Sequence, residues 1–121
     1  MKLYITGATG FVGSAVVAEA LTRGHEVVAV VRPASTVDLS TQHADHAAQV
    51  HEARVDLRSR AGLSESLNGV DSVIHLAAAK SGDFYTQFAG TVVATENLLA
   101  AMTEAGVDDL VAISTFSVTT T

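Results

Sequence analysis

Between a short apolar run, KLYI at residues 2–5, and a segment with helically spaced apolar residues stands TGATGFVG, Thr6 to Gly13. Gly7, Gly10 and Gly13 in a strand-to-helix turn constrain the fold more than any other feature of the chain, because an α/β unit opens in this way. Gly7 is expected to permit a tight turn out of the strand, Gly10 to let backbone approach a bound pyrophosphate, and Gly13 to let the helix sit close to the sheet. The first helical turn adds unpaired N–H groups and the positive end of the helix dipole, which favour phosphate. The fingerprint G-x-G-x-x-G has a glycine where this chain has Thr9, so by that pattern alone the match is incomplete and a purely structural turn is the competing reading.

The rest of the chain alternates in the same way. Val12, Val16, Val17, Ala20 and Leu21 form an apolar stripe, Ser14, Glu19, Thr22 and Arg23 take other faces, and Gly24 is the expected C-terminal cap. EVVAVVR, Glu26 to Arg32, is a continuous β-branched run of the kind found in a strand covered on both faces, and Pro33 stops it. Residues 34–49 are polar and weakly patterned, and VHEARVDL at 50–57 predicts a third strand. Ser59 is expected to cap a short helix running through Leu63 and Leu67 and ended by Asn68 and Gly69. SVIHLAAA, Ser72 to Ala79, predicts a fourth strand. From about Asp83, the residues Phe84, Phe88, Val92, Thr95, Leu99 and Met102 recur at helical spacing until Gly106, and LVAIST, Leu110 to Thr115, predicts a fifth strand.

Strands alternating with helices, through connections too long for hairpins, imply an α/β fold with a doubly wound parallel sheet. The expected strand order is 3-2-1-4-5, with ligands at the carboxyl ends of the strands where the winding reverses. TGATGFVG and HLAA would then face each other across that crevice.

Composition narrows the partners. The 121 residues, 48% hydrophobic, are expected to form one domain over 1–121. A net charge of −6, with seven Lys and Arg spread singly, argues against a nucleic-acid surface or an anionic membrane surface. The chain has no cysteine, so neither a disulfide nor a thiolate metal site can form. His43, Asp45, His46 and His51 lie where no regular structure preorganises ligands, and no metal site is expected of them. No run has the length of a membrane span or a signal peptide's apolar core, so a cytoplasmic location without membrane contact is expected.

Five stretches in order carry a family resemblance. TGATGFVG resembles the T-G-x-x-G-x-x-G signature of the short-chain dehydrogenase/reductase superfamily, in its extended branch of epimerases, dehydratases and dihydroflavonol-reductase-like enzymes. Asp56-Leu57 resembles the family's pair with one acidic residue near the adenine ring, and His75-Leu76-Ala77-Ala78 the H-x-A-A segment on the adenosine and ribose side. TVVATENLLAA, Thr91 to Ala101, is similar to N-V-x-G-T-x-N-L-L-x-A, and Ser114-Thr115 to the S-[ST] pair whose second hydroxyl is catalytic. The resemblance covers the chain nearly end to end. It implies a Rossmann fold and an oxidoreductase, epimerase or dehydratase that moves hydride between a nicotinamide cofactor and a carbonyl or hydroxyl of a small molecule. It further implies cofactor contacts from Gly7, Ala8, Thr9, Gly10, Phe11, Val12, Gly13, Arg32, Asp56, Leu57, Leu76, Ala77 and Ala78, and a catalytic role for Thr115. His75 is expected to be a satisfied buried histidine and not an acid–base catalyst, and Lys80 a solvated loop residue.

The chain departs from the pattern in three places. Thr91 and Ala94 stand where the helix motif has Asn and Gly. No Y-x-x-x-K pair is present: Tyr4 lies in the first strand, and Tyr85 is followed four residues later by Ala89. In the family that pair follows the fifth strand, so these residues are expected to be the N-terminal cofactor-binding part of a longer enzyme, inactive alone; a dinucleotide-sensing domain or an inactive fragment is the alternative. Arg32 stands where NAD-preferring relatives carry an acid, and a guanidinium can grip a 2′-phosphate bidentately, so NADP is expected over NAD. Ser35 and Thr36 can add hydroxyls to the same phosphate. The long helix contributes to a subunit interface in related dimers, which makes a homodimer the implied assembly.

Overall fold

A mostly apolar run and a β-branched run lie at the centre of the sheet, β1 (Lys2–Ile5) and β2 (Glu26–Val31), paired in parallel with Ile5 beside Ala29. They are part of a computed structural model that describes residues 1–8, 11–79 and 84–116, with backbone alone at 11, 77–79, 84–91 and 113–116. Strand β3 (Val50–Arg54) pairs with β2, β4 (Ser72–Ala79) with β1, and β5 (Leu110–Phe116) with β4, all in parallel. The five-stranded order is β3-β2-β1-β4-β5, as expected of a doubly wound Rossmann sheet.

Alternation along the strands builds two cores. Leu3, Ile5, Val27, Ala29 and Val31 face Val17, Ala20 and Leu21 of α1 (Phe11–Thr22). Tyr4, Val28, Val30 and Val73 face the other way, onto Leu63 of the short α3 (Leu63–Ser66) and onto Leu98, Ala101 and Met102 of α4 (Phe84–Ala105). Both faces of β2 are therefore covered from Val27 to Val31, which is why that run is unbroken by polar residues. Tyr4 is fully buried, and its phenol satisfies itself against the Ser66 hydroxyl at 2.7 Å.

Several local expectations are corrected. The polar stretch at 34–49 contains α2 (Leu39–Gln42) and a 3₁₀ helix (Ala44–Gln49). Asp38 caps α2, its carboxylate accepting from the Ser40 and Thr41 amides, with Leu39 buried beneath; a single apolar residue leaves too little periodicity to read. Strand β3 ends at Arg54 and not at Leu57, because the chain turns at Asp56, whose carbonyl accepts from the Ser59 amide. Ser59 does not cap α3: its hydroxyl accepts from the Ala61 amide, and Gly62 in a left-handed conformation occupies the cap position. On α4 the core-facing set is Leu98, Ala101 and Met102, whereas Val92 and Leu99 are exposed. With apolar residues on nearly every face of VVATENLLAAM, spacing alone could not choose between them. Phe84 and Phe88 have side chains outside the described residues.

Candidate nucleotide site

Thr6 to Ala8 leave the end of β1 in a turn held by tight backbone contacts. Gly7 has φ +66°, a left-handed conformation, and a Cβ added there would meet the Leu76 carbonyl oxygen at 3.0 Å. At Gly13 a Cβ would fall 1.8 Å from the Gly7 carbonyl oxygen and 2.8 Å from the Ala8 Cα. The first turn of α1 thus packs directly on the glycine turn, a closer approach than the helix-to-sheet contact expected of Gly13. Ala8 is buried, Val12 is exposed, and Thr9 and Gly10 lie outside the described residues, as does the Phe11 side chain.

The HLAA segment lies against this turn. Thr6, fully buried, accepts from the Leu76 amide at 3.0 Å through its hydroxyl, which also lies 2.7 Å from His75 Nδ1. The other ring nitrogen, Nε2, lies 2.9 Å from the Thr95 hydroxyl of α4. His75 is 5% exposed, and burial pushes its imidazole below the usual histidine range. The expectation of a satisfied buried histidine therefore holds, in mid-strand and bridging three elements. Leu76 is partly buried beside the α1-side core. Ala77 and Ala78 continue β4, paired in register with Ser114 and Thr115 of β5, and the side chains of these four residues lie outside the described set.

A second group lies at the carboxyl ends of β2 and β3. Arg32 follows β2, exposed and without a hydrogen bond from its guanidinium among the described residues. The nearby Asp56 carboxylate accepts from the Arg58 amide at 2.9 Å. Hydrogen bonds from the Arg58 backbone and side chain, then the Arg58 and Arg32 charges, hold this carboxyl below its usual range. Leu57 is partly buried on the α4 side, and its carbonyl accepts from Asn97 Nδ2 at 2.9 Å. Arg54 fixes the segment after Arg32 by donating to the Ser35 and Val37 carbonyls at 2.7 and 3.1 Å.

The sequence alone does not mark Thr95, Asn97 or Arg54 as site residues. Thr95 and Asn97 both lie in the TVVATENLLAA motif, but helical spacing does not say what a polar side chain will reach. Lys80 lies outside the described residues. Among the described residues no cluster of three His, Cys, Asp or Glu residues is arranged to hold a metal; His46 meets Gln49 and His51 meets Glu26.

The model of the NAD dependent epimerase/dehydratase family matches residues 3–119. The chain belongs to that family. Sterol demethylase protein B of Methylococcus capsulatus is 35% identical over 119 residues, covering 96% of this chain and 35% of that protein. The 2-alkyl-3-oxoalkanoate reductase of Stenotrophomonas maltophilia is 32% identical over 121 residues, covering 98% of this chain and 34% of that protein. Among solved structures, MoeE5 in complex with UDP-glucose and NAD aligns with a TM-score of 0.72 at 32% identity, over 93% of this chain and 36% of that one. The chain therefore spans about a third of the length of each of these relatives. Among the described residues no helix is long and apolar enough to cross a membrane.

Proposed function

We propose that this chain is the dinucleotide-binding part of an oxidoreductase, epimerase or dehydratase that acts on a carbonyl or hydroxyl of a small molecule. The observation that carries the reading is the absence of any Cβ at Gly7 and Gly13, which lets the start of α1 pack directly onto the turn after β1, at the carboxyl end of the strand, where a helix N-terminus favours phosphate. The residues fit the group. The turn and the first amides of α1 receive the pyrophosphate, with Gly10 as the point of closest approach. Asp56 and Leu57 border the adenine, and Leu76, Ala77 and Ala78 border the ribose across the crevice. A bound nicotinamide dinucleotide supplies the hydride carrier. Thr115, beside Ala78 in register, holds a substrate oxygen by hydrogen bonding and so orients the carbon that exchanges hydride.

Family membership and the NAD complex of MoeE5 support a nicotinamide dinucleotide. The finer choice of NADP rests on Arg32, an exposed cation where a 2′-phosphate would lie. Calorimetric titration of the chain with NAD and with NADP tests the reading. At least one should bind, and Gly10→Val should abolish that binding with the far-ultraviolet dichroism unchanged. A chain that binds neither nucleotide, or a folded Gly10→Val variant that binds as the parent does, defeats it.

A further inference from the structure

His75 makes a connection that its place in an H-x-A-A segment does not explain. Its imidazole lies between Thr6, the last residue before the glycine turn, and Thr95 on α4, at 2.7 and 2.9 Å. Protons can be counted along this chain. The Thr6 oxygen receives the Leu76 N–H, and a neutral imidazole offers one donor and one acceptor, so His75 satisfies Thr6 through Nδ1 and Thr95 through Nε2 at once, accepting from one hydroxyl and donating to the other. Burial keeps the imidazole neutral, as this arrangement requires. Thr6 is fully buried and its hydroxyl also fixes the Leu76 amide, so whatever orients that hydroxyl orients both walls of the crevice. A second tie runs parallel, from Asn97, further along α4, to the Leu57 carbonyl.

We infer that His75 is a positioning residue for the nucleotide cradle: gripped by Thr95, its ring orients the Thr6 hydroxyl and so registers the glycine turn and Leu76 against helix α4. The inference rests on the nucleotide-binding reading and adds to it a mechanical link, by which a displacement of α4 is felt at the cradle. Neither His75 nor Thr95 needs to touch the nucleotide for this.

Two readouts on the 121-residue chain test it: exchange of the Leu76 amide proton without nucleotide, and affinity for NAD. Thr95→Val removes the hydroxyl at nearly constant volume, and Thr95→Ser keeps it. Thr95→Val should accelerate Leu76 exchange and weaken NAD about tenfold, the equivalent of one hydrogen bond, while Thr95→Ser should restore both. His75→Asn keeps an acceptor for Thr6 but does not reach Thr95, and should match Thr95→Val. The Val73 amide, on the same strand as Leu76 and donating to the Asp109 carbonyl just before β5, is the internal control and should not change. If Leu76 and Val73 lose protection together, Thr95 and His75 serve only general stability and the inference is overturned. It is also overturned if Thr95→Val leaves Leu76 exchange unchanged. A parent chain that does not bind NAD defeats the nucleotide reading alone, because the exchange comparison still decides the link. Should His75→Asn not fold, Thr95→Val and Thr95→Ser decide between the link and general stability by themselves.

Discussion

A Cβ placed on Gly13 would lie 1.8 Å from the carbonyl oxygen of Gly7, a distance no folded backbone accommodates without moving. Two glycines six residues apart thus depend on each other: the left-handed turn at Gly7 presents its carbonyl to the spot on α1 where only a hydrogen fits. The start of the helix is thereby fixed relative to the turn, and the turn relative to Leu76 on β4.

Gly13→Ala should therefore be costly. Relief of the overlap requires α1 to withdraw from the turn, and the expected loss is about 3 kcal/mol, at the upper end for overpacking. Gly24→Ala is the comparison: Gly24 has φ +85° but nothing within 4 Å of its would-be Cβ, so only backbone strain applies, about 1 kcal/mol. Urea unfolding of the two variants distinguishes contact from strain. Equal losses would mean that the close approach at Gly13 does not limit stability.

The outline of this fold was legible in the sequence because its strands are β-branched and its turns carry glycine. Gly24, Gly69 and Gly106 do adopt the left-handed conformations that end helices and turns. What was illegible was mostly polar. The Asp38 cap is local, but α2 is too short and too polar to show a helical period, and the Thr95 and Asn97 bonds join residues many positions apart whose partners are set by packing. The core-facing residues of α4 are illegible for the opposite reason, since Leu98 and Leu99 are equal in hydrophobicity and only the sheet decides between them. At the site, residue types mark the glycine turn and HLAA, whereas the link from Thr6 to His75 to Thr95 is made by packing and leaves no local pattern in the sequence.

Acid should weaken the folded state through His75. Its pKa in the folded chain is lowered by burial from about 6.5, the value an exposed histidine keeps when the chain unfolds. The unfolded state therefore binds more protons, and stability is full above about pH 6.5 and falls as the pH drops toward the folded-state value. The slope from this group cannot exceed one proton, about 1.4 kcal/mol per pH unit. Asp56, whose pKa is also lowered by the Arg58 hydrogen bonds, contributes only at lower pH, as it is protonated below the usual carboxylate range. Urea midpoints measured from about pH 7.5 down to 5, with the His75 ring followed by NMR, check the sign. A midpoint that rises on acidification, or a His75 that titrates above the exposed value, would contradict it.

In the proposed function, the choice of NADP over NAD rests on Arg32. Arg32 stands exposed after β2, and the nearby Asp56 carboxylate takes its hydrogen bonds from Arg58, so among the described residues the Arg32 guanidinium makes no hydrogen bond. Replacing Arg32 by Asp removes the guanidinium donors and sets a second negative charge near Asp56, which repels a 2′-phosphate. NADP binding should weaken by about 1.5–3 kcal/mol, the magnitude of a charge-assisted hydrogen bond, whereas NAD, which has no phosphate there, should change little. The same titration at low and high salt separates the two contributions, because the loss of a bidentate contact persists under screening and a long-range charge effect does not. If the parent chain binds NAD more tightly than NADP, or if Arg32→Asp weakens both nucleotides equally, Arg32 does not read the 2′-phosphate and the preference for NADP is wrong.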